Sequence, residues 1–279
     1  MKKTKRRIIL LFLLAALIVF ITSGLISPLG VTEYEVYNPA LPAAFDGYKI
    51  LQISDLQNYT DQYILPFARN AEPDIIVLTG DTFYHRMSAQ TVDWTIKLIY
   101  QMVKIAPVFC VSGNHDLWNP DFKEYERIMA DAGVMNLENT GVMITQDSDA
   151  IHIMGISDPD TLNDKNASRL VQEYMRQVQS TDGFDILLFH RANMLDCFKD
   201  KGFELILSGH LHGGQIRLPF VDGGLLSPEG NFFPRYAGGI YKIDEKTTAV
   251  VSRGIGNTSI IPRFYDPPEL VLITLRKKL

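Results

Sequence analysis

Side chains able to ligate a divalent cation recur at the ends of five short apolar runs. They are Ile53-Ser54-Asp55-Leu56-Gln57, Leu78-Thr79-Gly80-Asp81, Val111-Ser112-Gly113-Asn114-His115-Asp116, Leu188-Phe189-His190 and Leu207-Ser208-Gly209-His210-Leu211-His212. One strand ending in Asp or His is ordinary, whereas five in one chain suggest a shared site at the carboxyl edge of a sheet. The candidate ligands are Asp55, Asp81, Asn114, His190, His210 and His212, with Gln57 and His115 beside them. Carboxylate, amide oxygen and imidazole suit Mn, Fe and Zn, and the lack of thiolate argues against a structural zinc site. Two such cations sharing a bridging carboxylate can bind a hydroxide and clamp a phosphoryl group for in-line attack. Four of the six histidines fall in these motifs; His152, inside Ile151-His152-Ile153, reads as a strand residue, and His85 follows the Asp81 loop.

The elements that must position these residues alternate. Strands are expected over Lys49 to Asp55, Asp74 to Leu78 and Val108 to Val111, with helices over Tyr63 to Asn70, Thr91 to Lys104 and Phe122 to Ala130. That order means parallel βαβ units. A hairpin follows, Gly141 to Thr145 and Ile151 to Ile156 around Gln146-Asp147-Ser148-Asp149. Alternation resumes with a helix from Asn166 to Gln179, a strand from Asp185 to Phe189, a short helix from Met194 to Phe198 and a strand from Glu204 to Leu207. Further strands cover Gly239 to Ile243, Thr248 to Ser252 and Leu270 to Leu275. Two mixed sheets facing each other would make a four-layer α/β/β/α sandwich occupying residues 45–279 as one domain.

Ahead of that domain, residues 1–7 carry Lys2, Lys3, Lys5, Arg6 and Arg7, and residues 8–27 are almost wholly apolar. Ile8 to Ile26 as a helix spans roughly 28 Å, close to the thickness of a bilayer core. The basic end stays cytoplasmic by the positive-inside rule, which exports everything after Ser27. An uncleaved signal anchor in the cell membrane is the expectation, a cleaved signal peptide the rival. Residues 28–44 read as a stalk and first strand. Five of the 27 basic residues lie in the first seven positions, so the rest of the chain carries 22 against 32 acidic ones. A body that acidic argues against nucleic acid as a partner. The two cysteines, Cys110 and Cys197, read as simple thiols rather than a disulfide framework.

Taken in order, Asp55-Leu56-Gln57, Gly80-Asp81, Gly113-Asn114-His115-Asp116, His190 and Gly209-His210-Leu211-His212 resemble the motifs of the calcineurin-like metallophosphoesterase superfamily. Later stretches resemble its membrane-anchored bacterial branch, which includes UDP-2,3-diacylglucosamine pyrophosphatase-like proteins. Those stretches are Gly155-Ile156-Ser157-Asp158-Pro159, Gly213-Gly214-Gln215-Ile216-Arg217-Leu218-Pro219, Tyr236-Ala237-Gly238-Gly239-Ile240-Tyr241 and Arg263-Phe264 with Pro267-Pro268-Glu269. The resemblance implies the metallo-dependent phosphatase fold and two divalent ions, with Mn favoured. It implies Asp81 as the bridging carboxylate, Asp55 and His212 on the first metal, and Asn114, His190 and His210 on the second. His115 would stand over the phosphate as acid or charge stabiliser, with Asp116 orienting its ring. Gln57 departs from the pattern, because the family usually places His there. An amide oxygen is a weaker ligand than imidazole and favours Mn or Mg over Zn.

The function expected is hydrolysis of a phosphodiester or pyrophosphate, with lipid-linked substrates among the candidates and no protein partner implied. The alternative is a weakened single-metal binding or scaffold protein, one ion being lost through Gln57. Arg191 is a candidate for pairing with a substrate phosphate. The loop from Leu218 to Phe233, with Pro219, Phe220, Leu225, Leu226, Phe232 and Phe233, is expected to bury its apolar side chains against the domain; the rival is contact with acyl chains or the membrane interface.

Overall fold

The structure is a computed structural model and describes residues 2–160, 164–178, 180–221, 223–257 and 259–278. In chain order its elements begin with α1 (Lys2–Leu25), β1 (Gly30–Asn38), β2 (Lys49–Ile53), α2 (Ile64–Ala71), β3 (Ile75–Thr79) and α3 (Ala89–Met102). They continue with β4 (Val108–Val111), α4 (Asn114–Leu117), α5 (Phe122–Ala132), β5 (Met135–Asn136), β6 (Thr140–Gln146), β7 (Asp149–Gly155) and α6 (Asp164–Met175). The last are β8 (Asp185–Arg191), β9 (Leu205–Gly209), β10 (Gly239–Lys242), β11 (Thr248–Val251) and β12 (Glu269–Lys277).

Two six-stranded sheets result, in the orders β1-β12-β2-β3-β4-β5 and β10-β11-β9-β8-β7-β6. Both are mixed: β2, β3 and β4 run parallel, as do β7, β8 and β9, while β12 is antiparallel to β2 and β6 to β7. The central strands are buried along their whole length, which is why their sequences are continuous apolar runs rather than alternating ones. Their two-residue period instead sorts side chains between two cores. Phe109 and Val111 of β4, with Ile186 and Leu188 of β8, fill the space between the sheets. Val108 and Cys110 turn to the helices on one outer face, Leu187 and Phe189 to the opposite outer face. The α/β/β/α sandwich read from the sequence is therefore present.

The parallel strands β2, β3, β4, β8 and β9 deliver their carboxyl ends to one edge. There the sheets also touch: Gln52 of β2 donates from Nε2 to the Ser208 carbonyl of β9 at 2.8 Å. A Cβ on Gly209 would lie 1.9 Å from Ser54 Oγ, so only glycine permits this closure.

Several boundaries differ from expectation. The strand expected to stop at Phe189 runs to Arg191, so His190 leaves from regular sheet. The helix expected from Asn166 to Gln179 ends at Met175, and Gln179 lies outside the described residues. Within residues 28–44, Gly30–Asn38 pair in parallel with β12 as an edge strand, so most of this segment belongs to the sheet. Both cysteines are free thiols, Cys110 buried and Cys197 half-buried. One helix among the described residues, Thr4–Leu25, is long and apolar enough to cross a membrane, with 22 residues at a mean hydropathy of 2.9.

Candidate active site

The five strand ends converge. Asp55, Gln57, Asp81, His210 and His212 all leave their strands with positive φ, between 45° and 77°, the left-handed region that non-glycine residues avoid. Each such turn costs about 1–3 kcal/mol and persists only where the surroundings hold it. The same turns aim these side chains at one another.

Asp81 is the centre. Its Oδ2 lies 3.4 Å from His190 Nε2 and accepts from Gln57 Nε2 at 3.2 Å, while Oδ1 accepts from the His115 backbone N–H at 2.8 Å. His190 is fully buried and donates from Nδ1 to the Thr79 carbonyl at 2.8 Å, which turns Nε2 inward. His210 Nδ1 stands 3.2 Å from that nitrogen. Ligand atoms of Asp81, His190 and His210 lie within 4.8 Å of one another, a grouping fit to hold a metal ion. Burial opposes a charge on either partner, yet the imidazoles of His190, His115 and His210 keep the Asp81 carboxyl well below the usual carboxylate range. Burial likewise opposes protonation of His190, but Asp81 pushes it up to about 10. Asp81 draws positive charge to this point, whether a proton or a cation carries it.

On the other side of Asp81, His212 Nε2 is 3.4 Å from Asp55 Oδ1 and 3.2 Å from Gln57 Nε2. Its Nδ1 faces the Gly256 carbonyl and Arg263 Nη2, each at 3.2 Å. Burial first, then the Arg263 charge, holds His212 down to about 4, so the ring is neutral and keeps a lone pair for a cation. The donor set passes a direct test of fit. Asp55 Oδ1, Gln57 Oε1 and Asn114 Oδ1 are buried acceptors without a hydrogen-bond partner, at three of the positions where ligands are expected. Uncompensated buried acceptors cost free energy, and a divalent ion would compensate them.

His115 and Asp116 separate in role. Nε2 of His115 lies 4.0 Å from Asp81 Oδ2, and the residue lines a cavity of about 540 Å³. Asp116 accepts from the backbone N–H groups of Gly113, Thr82 and Phe83 at 2.8, 3.2 and 2.7 Å, tying the Asn114 turn to the Asp81 loop. These contacts hold loop backbone rather than the His115 ring, which differs from the orienting role expected of Asp116. The ring's neighbour is His85, stacked at 5.0 Å and 6° with the two Nδ1 atoms 2.9 Å apart. Trp118 packs edge-on at 5.0 Å and Tyr84 at 4.9 Å. Burial, partly offset by Asp81 and reinforced by His85, lowers the His115 pKa.

Arg191 lines the cavity, but its guanidinium is engaged. It donates from Nε and Nη2 to the two Asp158 oxygens at 2.7 and 2.9 Å, and its side chain is 3% exposed. His152 sits in β7, 3.6 Å from Asp185 at the opposite end of β8 from His190. Sequence reasoning missed Glu229, whose Oε1 lies 3.0 Å from His210 Nε2, and it missed Arg263 as the support of His212. Glu229 carried no signal beyond being an acid inside an apolar loop. Arg263 carries a signal only as part of the Arg263-Phe264 stretch that resembles the family.

A family model described as calcineurin-like phosphoesterase matches residues 48–214. The chain belongs to that family. It is 30% identical over 257 residues to the uncharacterized metallophosphoesterase YkuE of Bacillus subtilis (strain 168), covering 88% of this chain and 85% of that protein. It is 26% identical over 246 residues to phosphodiesterase YaeI of Escherichia coli (strain K12), covering 82% of each. A Danio rerio transmembrane protein with metallophosphoesterase domain is 23% identical over 286 residues, 98% of this chain and 63% of that protein. As a calcineurin-like phosphoesterase the chain is a phosphoester hydrolase of a family that uses divalent metals.

Proposed function

We propose that this calcineurin-like phosphoesterase hydrolyses a phosphodiester or pyrophosphate at a two-metal site, held at the cell membrane by α1 with its catalytic domain outside the cytoplasm. The observation that carries this reading is the set of orphaned buried acceptors on Asp55, Gln57 and Asn114 around Asp81. Asp55, Gln57, Asp81 and His212 would hold one ion, and Asp81, Asn114, His190 and His210 the other, with Mn favoured by the oxygen-rich set. When bound, the pair supplies an activated water and positive charge for the phosphoryl oxygens.

The protein's own groups supply the rest. If His85 donates its Nδ1 proton to His115 Nδ1, the His115 proton sits on Nε2 and points into the cavity, placed to reach a leaving oxygen. Asp116 keeps the Asp81 and Asn114 loops in register, and the Arg191–Asp158 pair stiffens the wall beside them. An apolar anchor beside the site favours a lipid-linked substrate.

A second reading is favoured by one contact. Gln57 turns Nε2 toward both Asp81 and His212, so an amide stands between ligands expected on the first ion. A protein using only the Asp81, His190 and His210 side would bind one metal and serve as a phosphate-binding or scaffold protein. Metal analysis of the purified protein, with turnover of aryl phosphodiesters in added Mn, separates the two. The proposal expects two ions per chain and turnover; one ion without turnover would establish the second reading.

A further inference from the structure

Downstream of Ile26, the four most exposed large apolar side chains among the described residues are Phe220 (107%), Ile260 (102%), Phe232 (76%) and Phe233 (69%). All four belong to two loops, and this overturns the expectation that the apolar loop after Leu218 is buried against the domain. The loops are joined at their bases. Gln215 donates from Nε2 to Asn257 Oδ1 at 2.9 Å and to the Ile261 carbonyl at 3.2 Å. Ile216 forms a parallel bridge with Phe264, and the Arg217 N–H donates to the Phe264 carbonyl at 2.9 Å. The same loops furnish Pro228, Glu229, Asn231 and Ser259 to the cavity wall.

That joint is also where α1 docks. The Phe264 and Tyr265 rings pack on Phe20 at 5.7 and 5.2 Å, and Tyr265 Oη donates to the Phe20 carbonyl at 3.0 Å. The Tyr265 N–H donates to the Gly24 carbonyl at 2.7 Å, and a Cβ on Gly24 would lie 2.4 Å from the Phe264 ring. Phe20 lies about 7.5 Å along the helix axis from its end at Leu25, at the rise of a regular helix. In a helix whose apolar run matches the bilayer core, that depth lies in the outer part of the acyl chains, so the loops that dock there meet the membrane surface.

From this continuity we infer that Phe220, Phe232, Phe233 and Ile260 form a lipid-facing rim, inserted in the leaflet that holds the carboxyl end of α1, so that the cavity opens at headgroup depth. The inference rests on the anchoring reading above and deepens it. An isolated apolar tip needs no explanation, but four on two loops that are joined at their bases and wall the cavity, one of them docked on α1, do. Apolar insertion must supply the adhesion, since the chain beyond its first seven residues carries 22 basic against 32 acidic side chains. The substrate class follows: a phosphoester whose phosphorus lies in the headgroup layer and whose apolar tail stays in the leaflet.

The full chain, in a Cys197→Ser background, is reconstituted in vesicles of phosphatidylcholine and phosphatidylglycerol. A polarity-sensitive fluorophore is placed singly at Phe220→Cys, Phe232→Cys, Ile260→Cys, Leu17→Cys within α1, and Met143→Cys on β6. Blue-shifted emission and quenching by shallow nitroxide lipids at 220, 232 and 260, with aqueous iodide quenching only at 143, would support the rim. Lipid quenching at 17 with iodide quenching at 220, 232 and 260 would overturn the rim and leave the anchor standing. Iodide quenching at 17 as well would overturn both. Protection of the loop positions from both quenchers would mean a protein covers them, which also overturns the rim. As a second readout, the triple variant Phe220→Ser, Phe232→Ser, Ile260→Ser should lose roughly tenfold in turnover of vesicle-embedded hexadecyl p-nitrophenyl phosphate. Its turnover of soluble bis(p-nitrophenyl) phosphate should match the parent chain; equal losses on both substrates would contradict the rim.

Discussion

At the scale of single residues, the site divides into groups that would hold charge and groups that hold those groups in place. Gln57 is the residue on which the metal count turns. Gln57→His should raise first-site affinity, read by calorimetric metal titration, and an unchanged isotherm would deny position 57 a ligand role. His115→Ala should lower kcat by about 10²–10⁴-fold with metal content unaltered, because the ring is not among the expected ligands and Asp81 Oδ1 keeps its bond from the residue's backbone N–H. Arg191→Met should act through stability. It strips a buried Asp158 of its bidentate partner, at a cost of about 3–5 kcal/mol read from the denaturant midpoint. Replacing Asp158 with Leu in the same chain should recover most of that loss. An Arg191→Met protein of normal stability and raised KM would return Arg191 to the substrate. Asp116→Ala, which leaves three backbone N–H groups unpaired, should also lower the midpoint, unlike a variant of a residue that only orients a ring.

At the scale of elements, the strand ends succeed because β2, β3, β4, β8 and β9 run parallel and finish at one edge, and small residues let the sheets meet there. Gly209→Ala removes no ligand, yet it should abolish metal binding by calorimetry, since its methyl would occupy the place of Ser54 Oγ and crowd Asp55. This layer was the most legible in the sequence. Apolar runs of four residues, at 75–78, 108–111 and 186–189, are too short for helices and read as inner strands, with the polar residues after them at a rim. That pattern alone groups Asp55, Asp81, Asn114, His190, His210 and His212 at one rim, where the structure has them. What the sequence could not show was lateral support. The family resemblance implies that Asp116 orients His115, but α4 turns Asp116 back onto the loop backbone and leaves the ring to His85, thirty residues upstream. Glu229 and Arg263 reach the histidines from loops whose paths no periodicity encodes.

At the scale of the whole molecule, the fold holds several left-handed turns and unpartnered buried acceptors against one another, an arrangement that a bound cation would relieve. Chelation should accordingly lower the melting temperature. Metal at a thousandfold excess over its Kd adds about 4 kcal/mol to a protein that binds it only when folded. The N-terminal helix packs on Phe264 and Tyr265 through Phe20 and Gly24, so α1 docks on a loop that also lends Ser259 to the cavity wall. Enlarging Gly24 should loosen that joint without touching a ligand. The central claim is that Asp81 organises a metal-dependent phosphoesterase, and turnover of bis(p-nitrophenyl) phosphate in added Mn, by the parent chain and by Asp81→Asn, tests it most directly. The account expects turnover by the parent and none above background in the variant; a parent inert with metal bound, or an Asp81→Asn protein as active as the parent, would contradict it.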